Sequence, residues 1–112
     1  MISRAERLAK EIQHAVGNLL VHTAPEGCQD AMLTVSGVKL TQDLREAKIY
    51  VSVYPPDAEL RKRCLKALIA DRGRIRLEIG NKVRMRYVPT IRIFIDDSLD
   101  NVETINTLLR NI

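Results

Sequence analysis

From Ala47 to Val53 apolar and polar residues alternate without interruption, with Ala47, Ile49, Val51 and Val53 on one side and Lys48, Tyr50 and Ser52 on the other. Successive side chains of a strand point to opposite faces, so this period of two puts four apolar groups on one face and leaves the other for water. Such a strand belongs to a sheet covered on one side, and other elements must supply the cover. Met32 to Leu40 reads as its antiparallel partner: Leu33, Val35 and Val38 are strand formers, Gly37 marks a bulge or close backbone approach, and Thr41-Gln42-Asp43 makes a polar turn. Pro55-Pro56-Asp57 closes the second strand, because proline cannot donate to a ladder, and Asp57 is placed to cap a following helix.

The cover is visible on both sides of the hairpin. Ser3 followed by Glu6 forms a capping box, and Ala5, Leu8, Ala9, Ile12, Val16, Leu19 and Leu20 recur at helical steps, so a helix is expected to run to about His22, before Pro25 and Gly27. After the hairpin, Leu60, Cys64, Ala67 and Leu68 form a second stripe that resumes at Ile75, Ile79 and Val83. Gly73 lies between the two pieces and suggests a kink or short connection there, since glycine costs about 1 kcal/mol relative to alanine within a helix. Ile91, Ile93 and Ile95 then alternate with Arg92 and Phe94 in a third strand, Asp96-Asp97-Ser98 turns the chain, and Val102, Ile105, Leu108 and Leu109 suggest a short C-terminal helix. The order helix, strand, strand, broken helix, strand describes an α+β layer, a three-stranded sheet with helices on one face.

Several functions are poorly served by these residues. The 112-residue chain is 46% hydrophobic and 29% charged, which suits one globular domain, and only 4% aromatic, so its core must rest on aliphatic side chains. Its charged start lacks the apolar run of a signal peptide and no stretch is apolar enough to span a membrane, from which a soluble, intracellular protein is expected. Cys28 and Cys64 form no C-x-x-C pair and read as separate small buried hydrophobes rather than as a disulfide or metal ligands. His14 and His22 are not at the i, i+4 spacing that brings two imidazoles together. No nucleophile elbow, zinc-protease, P-loop or dinucleotide motif occurs, and Asp96, Asp97 and Asp100, the only acids that could gather near a metal, fit a turn better.

Charge points elsewhere. Between Leu60 and Arg92 eleven basic residues face two acids, Asp71 and Glu78, a balance of +9; the rest of the chain has seven basic and twelve acidic residues, a balance of −5, giving +4 in all. A solvated helix face normally interleaves acids with bases for i, i+4 pairing, whereas accumulated like charge is unfavourable unless an anion offsets it. Eight of the eleven are arginine, whose planar guanidinium forms paired hydrogen bonds to phosphate and stacks on bases, so nucleic acid is the favoured partner. An anionic membrane is disfavoured, because these helices carry no Trp or Phe on their apolar faces.

With this organisation in place, three blocks resemble the ribosome-binding factor A family: Arg4-Ala5-Glu6-Arg7-Leu8-Ala9-Lys10-Glu11-Ile12; the hairpin from Leu33 to Val51; and Gly73-Arg74-Ile75-Arg76 through Arg84-Met85-Arg86-Tyr87-Val88-Pro89-Thr90-Ile91-Arg92-Ile93-Phe94-Ile95-Asp96-Asp97-Ser98. The resemblance implies a KH-like α+β domain of the type II order over residues 1–97, with 98–112 as a tail or short helix. It also implies that an Ala-x-Gly kink replaces the G-x-x-G loop of ordinary KH domains. Gly73 matches the family glycine, while Asp71 stands at the alanine position; Pro89-Thr90-Ile91 and Ala24-Pro25-Glu26 also depart from the family pattern.

The implied function is non-enzymatic and needs no cofactor: a monomer in the bacterial cytoplasm, or in a bacterial-type organelle, that binds small-subunit ribosomal RNA and the precursor small subunit. The candidate RNA-binding residues are Arg61, Lys62, Lys66, Arg72, Gly73, Arg74, Arg76, Lys82, Arg84 and Arg86. Arg74 and Arg76 are expected to be exposed charges that matter little for folding. The other readings are a KH-like nucleic-acid-binding or protein-interaction module outside ribosome assembly, and an RNA-cleaving enzyme using Asp96, Asp97 and Asp100.

Overall fold

Helix α1 (Arg4–His22) begins where Ser3, in extended conformation, turns its Oγ to accept a hydrogen bond from the Glu6 N–H at 3.1 Å, half of the expected capping box. The chain is described here by a computed structural model over residues 2–96. Ala5, Leu8, Ala9, Ile12, Ala15, Val16 and Leu20 are buried along one face of α1, following the apolar stripe in the sequence.

Strands β1 (Met32–Leu40) and β2 (Glu46–Tyr54) pair antiparallel, and their register slips between Val35 and Gly37, the bulge that Gly37 announced. The turn between them is held by side chains. The Thr41 hydroxyl donates to Asp43 Oδ1 at 2.7 Å, the Glu46 N–H donates to Thr41 Oγ1 at 3.1 Å, and the Arg45 N–H donates to Asp43 Oδ1 at 3.1 Å. The Thr41 hydroxyl, followed by the Arg45 amide, keeps the Asp43 carboxyl below the usual carboxylate range. Leu44 closes the turn in the left-handed region at φ 62°, an unusual conformation for a leucine.

Asp57 caps α2 (Ala58–Ala70) by accepting from the Leu60 N–H at 2.9 Å, as its place after the two prolines suggested. Leu60, Cys64 and Leu68 are its buried positions, and Ile75 and Ile79 are those of α3 (Arg72–Lys82). Strand β3 (Thr90–Ile95) returns parallel to β2, pairing Ala47 with Ile91 and Ile49 with Ile93. Parallel neighbours need a long crossover, and α2 and α3 form it. The sheet order is β1-β2-β3, its inner face is aliphatic, and α1 and α2 lie against it while α3 packs on α1. This is the KH-like α+β arrangement implied by the resemblance. The suggested C-terminal helix falls outside the described residues.

Two expectations need correction. Cys28 and Cys64 are not separate buried thiols: they form a disulfide, with Cα atoms 5.4 Å apart, that ties the connection after α1 to α2. The connection folds back onto the helix across a separation of 36 residues, which no local spacing encodes. Asp30 and Arg63 bridge the same two elements at 2.6 Å, and Arg63 holds the Asp30 carboxyl below its ordinary range. The helix break, for its part, falls at Asp71 and not at Gly73. Asp71 has φ −94° and ψ 8°, and its N–H still bonds back to Ala67 and Leu68, so the helix is interrupted for a single residue. Gly73 lies within the first turn of α3, and Gly27 is the only described glycine with positive φ.

Candidate nucleic-acid interface

A buried stripe fixes where the cations of α2 and α3 must go. With Leu60, Cys64 and Leu68 turned inward, Lys62 and Lys66 fall one helical turn apart on the exposed side of α2, and Arg61 is half-buried. With Ile75 and Ile79 inward, Arg72 and Arg76 repeat that spacing on the exposed side of α3, and Gly73 lies beside Arg72. Lys82 and Arg84 are exposed where α3 ends, and neither makes an ion pair among the described residues. Exposed apolar groups lie near the break: Ile69 is 41% and Leu77 65% accessible. A surface mixing cations with exposed aliphatic groups offers contacts to phosphates and to sugars or base faces.

The individual cations differ in how freely they can act. Arg72 Nε donates to the Ile69 carbonyl at 3.2 Å and Arg76 Nη2 to the Val88 carbonyl at 3.3 Å, each keeping further donors toward solvent. Arg74 does not fit the expectation of an exposed charge irrelevant to folding. It grips the Asp71 carboxylate through Nε, at 3.0 and 2.8 Å, and through Nη2 at 2.6 Å, while Nη2 also donates to the Thr23 carbonyl at 2.8 Å. These bonds join the helix break to the end of α1, and Asp71 raises the Arg74 pKa further. The aspartate at the family's alanine position thus has an intramolecular partner three residues on, a local pair, whereas the bond to Thr23 spans 51 residues and has no local signal.

Opposite stability effects are therefore expected at adjacent positions. A Cβ at Gly73 would meet nothing within 4 Å and the backbone is helical, so Gly73→Ala should stabilise by about 0.5–1 kcal/mol. Arg74→Ala removes charge-assisted bonds at a half-buried site and should cost about 1–2 kcal/mol. Thermal melts of the two variants check both, and a Gly73→Ala protein that melts lower would contradict the geometry described for α3.

Other basic residues lie away from these two helices. Arg86 is carried away from α2 by the connection between α3 and β3 and lines a cleft of about 540 Å³ with Arg4 from the start of α1 and Arg45 from the hairpin turn. Arg4 and Arg45 belong to no charge run, so their proximity arises only from the fold. Arg92 goes to the outer face of the sheet, 3.5 Å from Glu46, next to the stacked rings of Tyr50 and Phe94.

The comparisons agree with this architecture. The sequence profile of ribosome-binding factor A matches residues 4–109. The chain is 36% identical to the ribosome-binding factor A of Clostridium perfringens over 109 residues, covering 97% of this chain and 94% of that one. The crystal structure of ribosome-binding factor A from Thermus thermophilus superposes with a TM-score of 0.69 at 20% identity, covering 83% of this chain and 97% of that one. Coordinates of the Thermus thermophilus factor fitted into a cryo-electron microscopy map of its complex with the 30S subunit give 0.68 at 20% identity, covering 85% and 97%. Profile and sequence match over nearly the whole length, and the chain belongs to the ribosome-binding factor A family.

Proposed function

We propose that the protein binds immature small-subunit ribosomal RNA within the precursor small subunit and assists its maturation without catalysis. The supporting observation is the concentration of a +9 balance in one stretch of 33 residues, from Leu60 to Arg92, whose Lys62, Lys66, Arg72 and Arg76 are exposed on α2 and α3 and whose Lys82 and Arg84 are exposed where α3 ends. These side chains would neutralise phosphates, Gly73 would allow the backbone to approach closely, Arg61 would contribute from the edge, and Arg74 would hold the break in shape rather than donate to RNA. The relative from Thermus thermophilus that was fitted into a complex with the 30S subunit supports the choice of partner.

The mechanism is one of differential binding. A protein that binds one RNA conformer better than another shifts the population toward that conformer by as much as the affinities differ, and no bond need be made or broken. The protein would work as a monomer in the cytoplasm of a bacterium or in a bacterial-type organelle. Competition among duplex DNA, structured ribosomal RNA and precursor small subunits tests the reading. Preference for the ribosomal ligands is the expected result, and equal affinity for all three would contradict it.

A further inference from the structure

The cleft between the start of α1, the hairpin turn and the connection before β3 has no part in the helical surface described above. Leu8, Leu44, Met85, Val88 and Pro89 give it an aliphatic part of its lining, and the same cleft brings together Arg4, Arg45 and Arg86 from three distant parts of the chain. Leu8 and Pro89 are buried, and Leu44 reaches the cleft from a left-handed backbone at φ 62°. A side chain held in that region costs free energy that the surroundings must offset, and such residues concentrate at binding sites. Arg86 lies over the Tyr87 ring at 5.7 Å, and Tyr87 is 74% exposed.

The occupant must match both parts. A cleft of about 540 Å³ falls within the range of small-ligand pockets, and its mixed lining suits a flat ring system against the aliphatic side chains, with three arginines to hold more than one phosphate. The cleft's carboxylate, Asp43, is turned into the hairpin, accepting from the Thr41 hydroxyl and the Arg45 N–H. We infer that the cleft takes one unstacked base of single-stranded RNA, with the phosphates on either side held by Arg4, Arg45 and Arg86. Duplexes are rejected because their bases are not available, and recognition of unpaired bases with flanking phosphate contacts is the usual route to single-stranded RNA.

This inference rests on the RNA-binding reading only for the source of the ligand, so its test uses free oligonucleotides. Protein labelled at methionine methyls is titrated with a single-stranded RNA tetranucleotide, a duplex of the same sequence, and an abasic strand with the same phosphates. Met85 lines the cleft, whereas Met32 is exposed at the far end of β1 and serves as an internal control. The single strand should move the Met85 resonance and leave Met32 in place, and the duplex and abasic strand should bind at least several-fold more weakly. Losing one phosphate contact with slope about −0.7 corresponds to about fivefold at 0.1 M salt, so Arg4→Ala with Arg45→Ala should weaken the single strand by about 25-fold. An unmoved Met85, equal affinity for the abasic strand, or an unweakened double variant would each overturn the inference. Sedimentation of the same variant with precursor subunits separates the readings: the helical surface can retain the subunit when the cleft is disabled.

Discussion

Replacing Lys62, Lys66 and Arg72 together by alanine is expected to weaken binding to small-subunit RNA by about 100-fold near physiological salt, with little change in melting temperature. Each phosphate contact contributes about −0.7 to −0.9 to the slope of log affinity against log salt, so three lost contacts should flatten that slope by roughly two to three units. All three side chains are exposed, and Lys62 and Lys66 share one side of α2, so their removal leaves the buried stripe of Leu60, Cys64 and Leu68 intact. Arg74 is left out deliberately, since its bonds to Asp71 and Thr23 would confound loss of affinity with loss of structure. An unchanged slope would mean that the cations of α2 and α3 are only a solvated face.

The second large effect concerns the disulfide. Cross-linking Cys28 to Cys64 closes a long loop, which in the chain-entropy account removes about 3–4 kcal/mol worth of freedom from the unfolded state. Reduction should therefore lower the melting temperature by about 15 °C or more, given roughly 4–8 °C per kcal/mol for a domain of this size. Both cysteines are fully buried, so reduction should require partial unfolding or an elevated temperature. A Cys28→Ala, Cys64→Ala double variant should melt near the reduced protein and be indifferent to reductant. Identical melting with and without reductant, with two titratable thiols in the purified protein, would contradict the pairing.

What the sequence could disclose followed from how local each determinant is. The alternation from Ala47 to Val53 and the stripe from Ala5 to Leu20 each depend on one periodicity, and the buried positions of β2 and α1 follow them. Ser3, Gly37 and Asp57 were legible because a cap or a bulge is set by residues a few positions apart. The break was misplaced by two residues because glycine's helical cost is a weak prior that the rest of the fold can override, while Asp71 is held at the break by Arg74. The disulfide, the bond from Arg74 to Thr23 and the meeting of Arg4, Arg45 and Arg86 all join segments far apart in sequence. Charge density was readable residue by residue, but which cations act within the protein depends on tertiary contacts.

The central claim is that this protein recognises the immature state of the small subunit. Sedimentation of the purified protein through sucrose gradients with precursor and with mature small subunits, at the same salt, tests it most directly. The account predicts that the protein travels with precursor subunits, is released as salt rises, and stays at the top of the gradient when mature subunits are supplied. Equal association with both particles, or with neither at low salt, would contradict it.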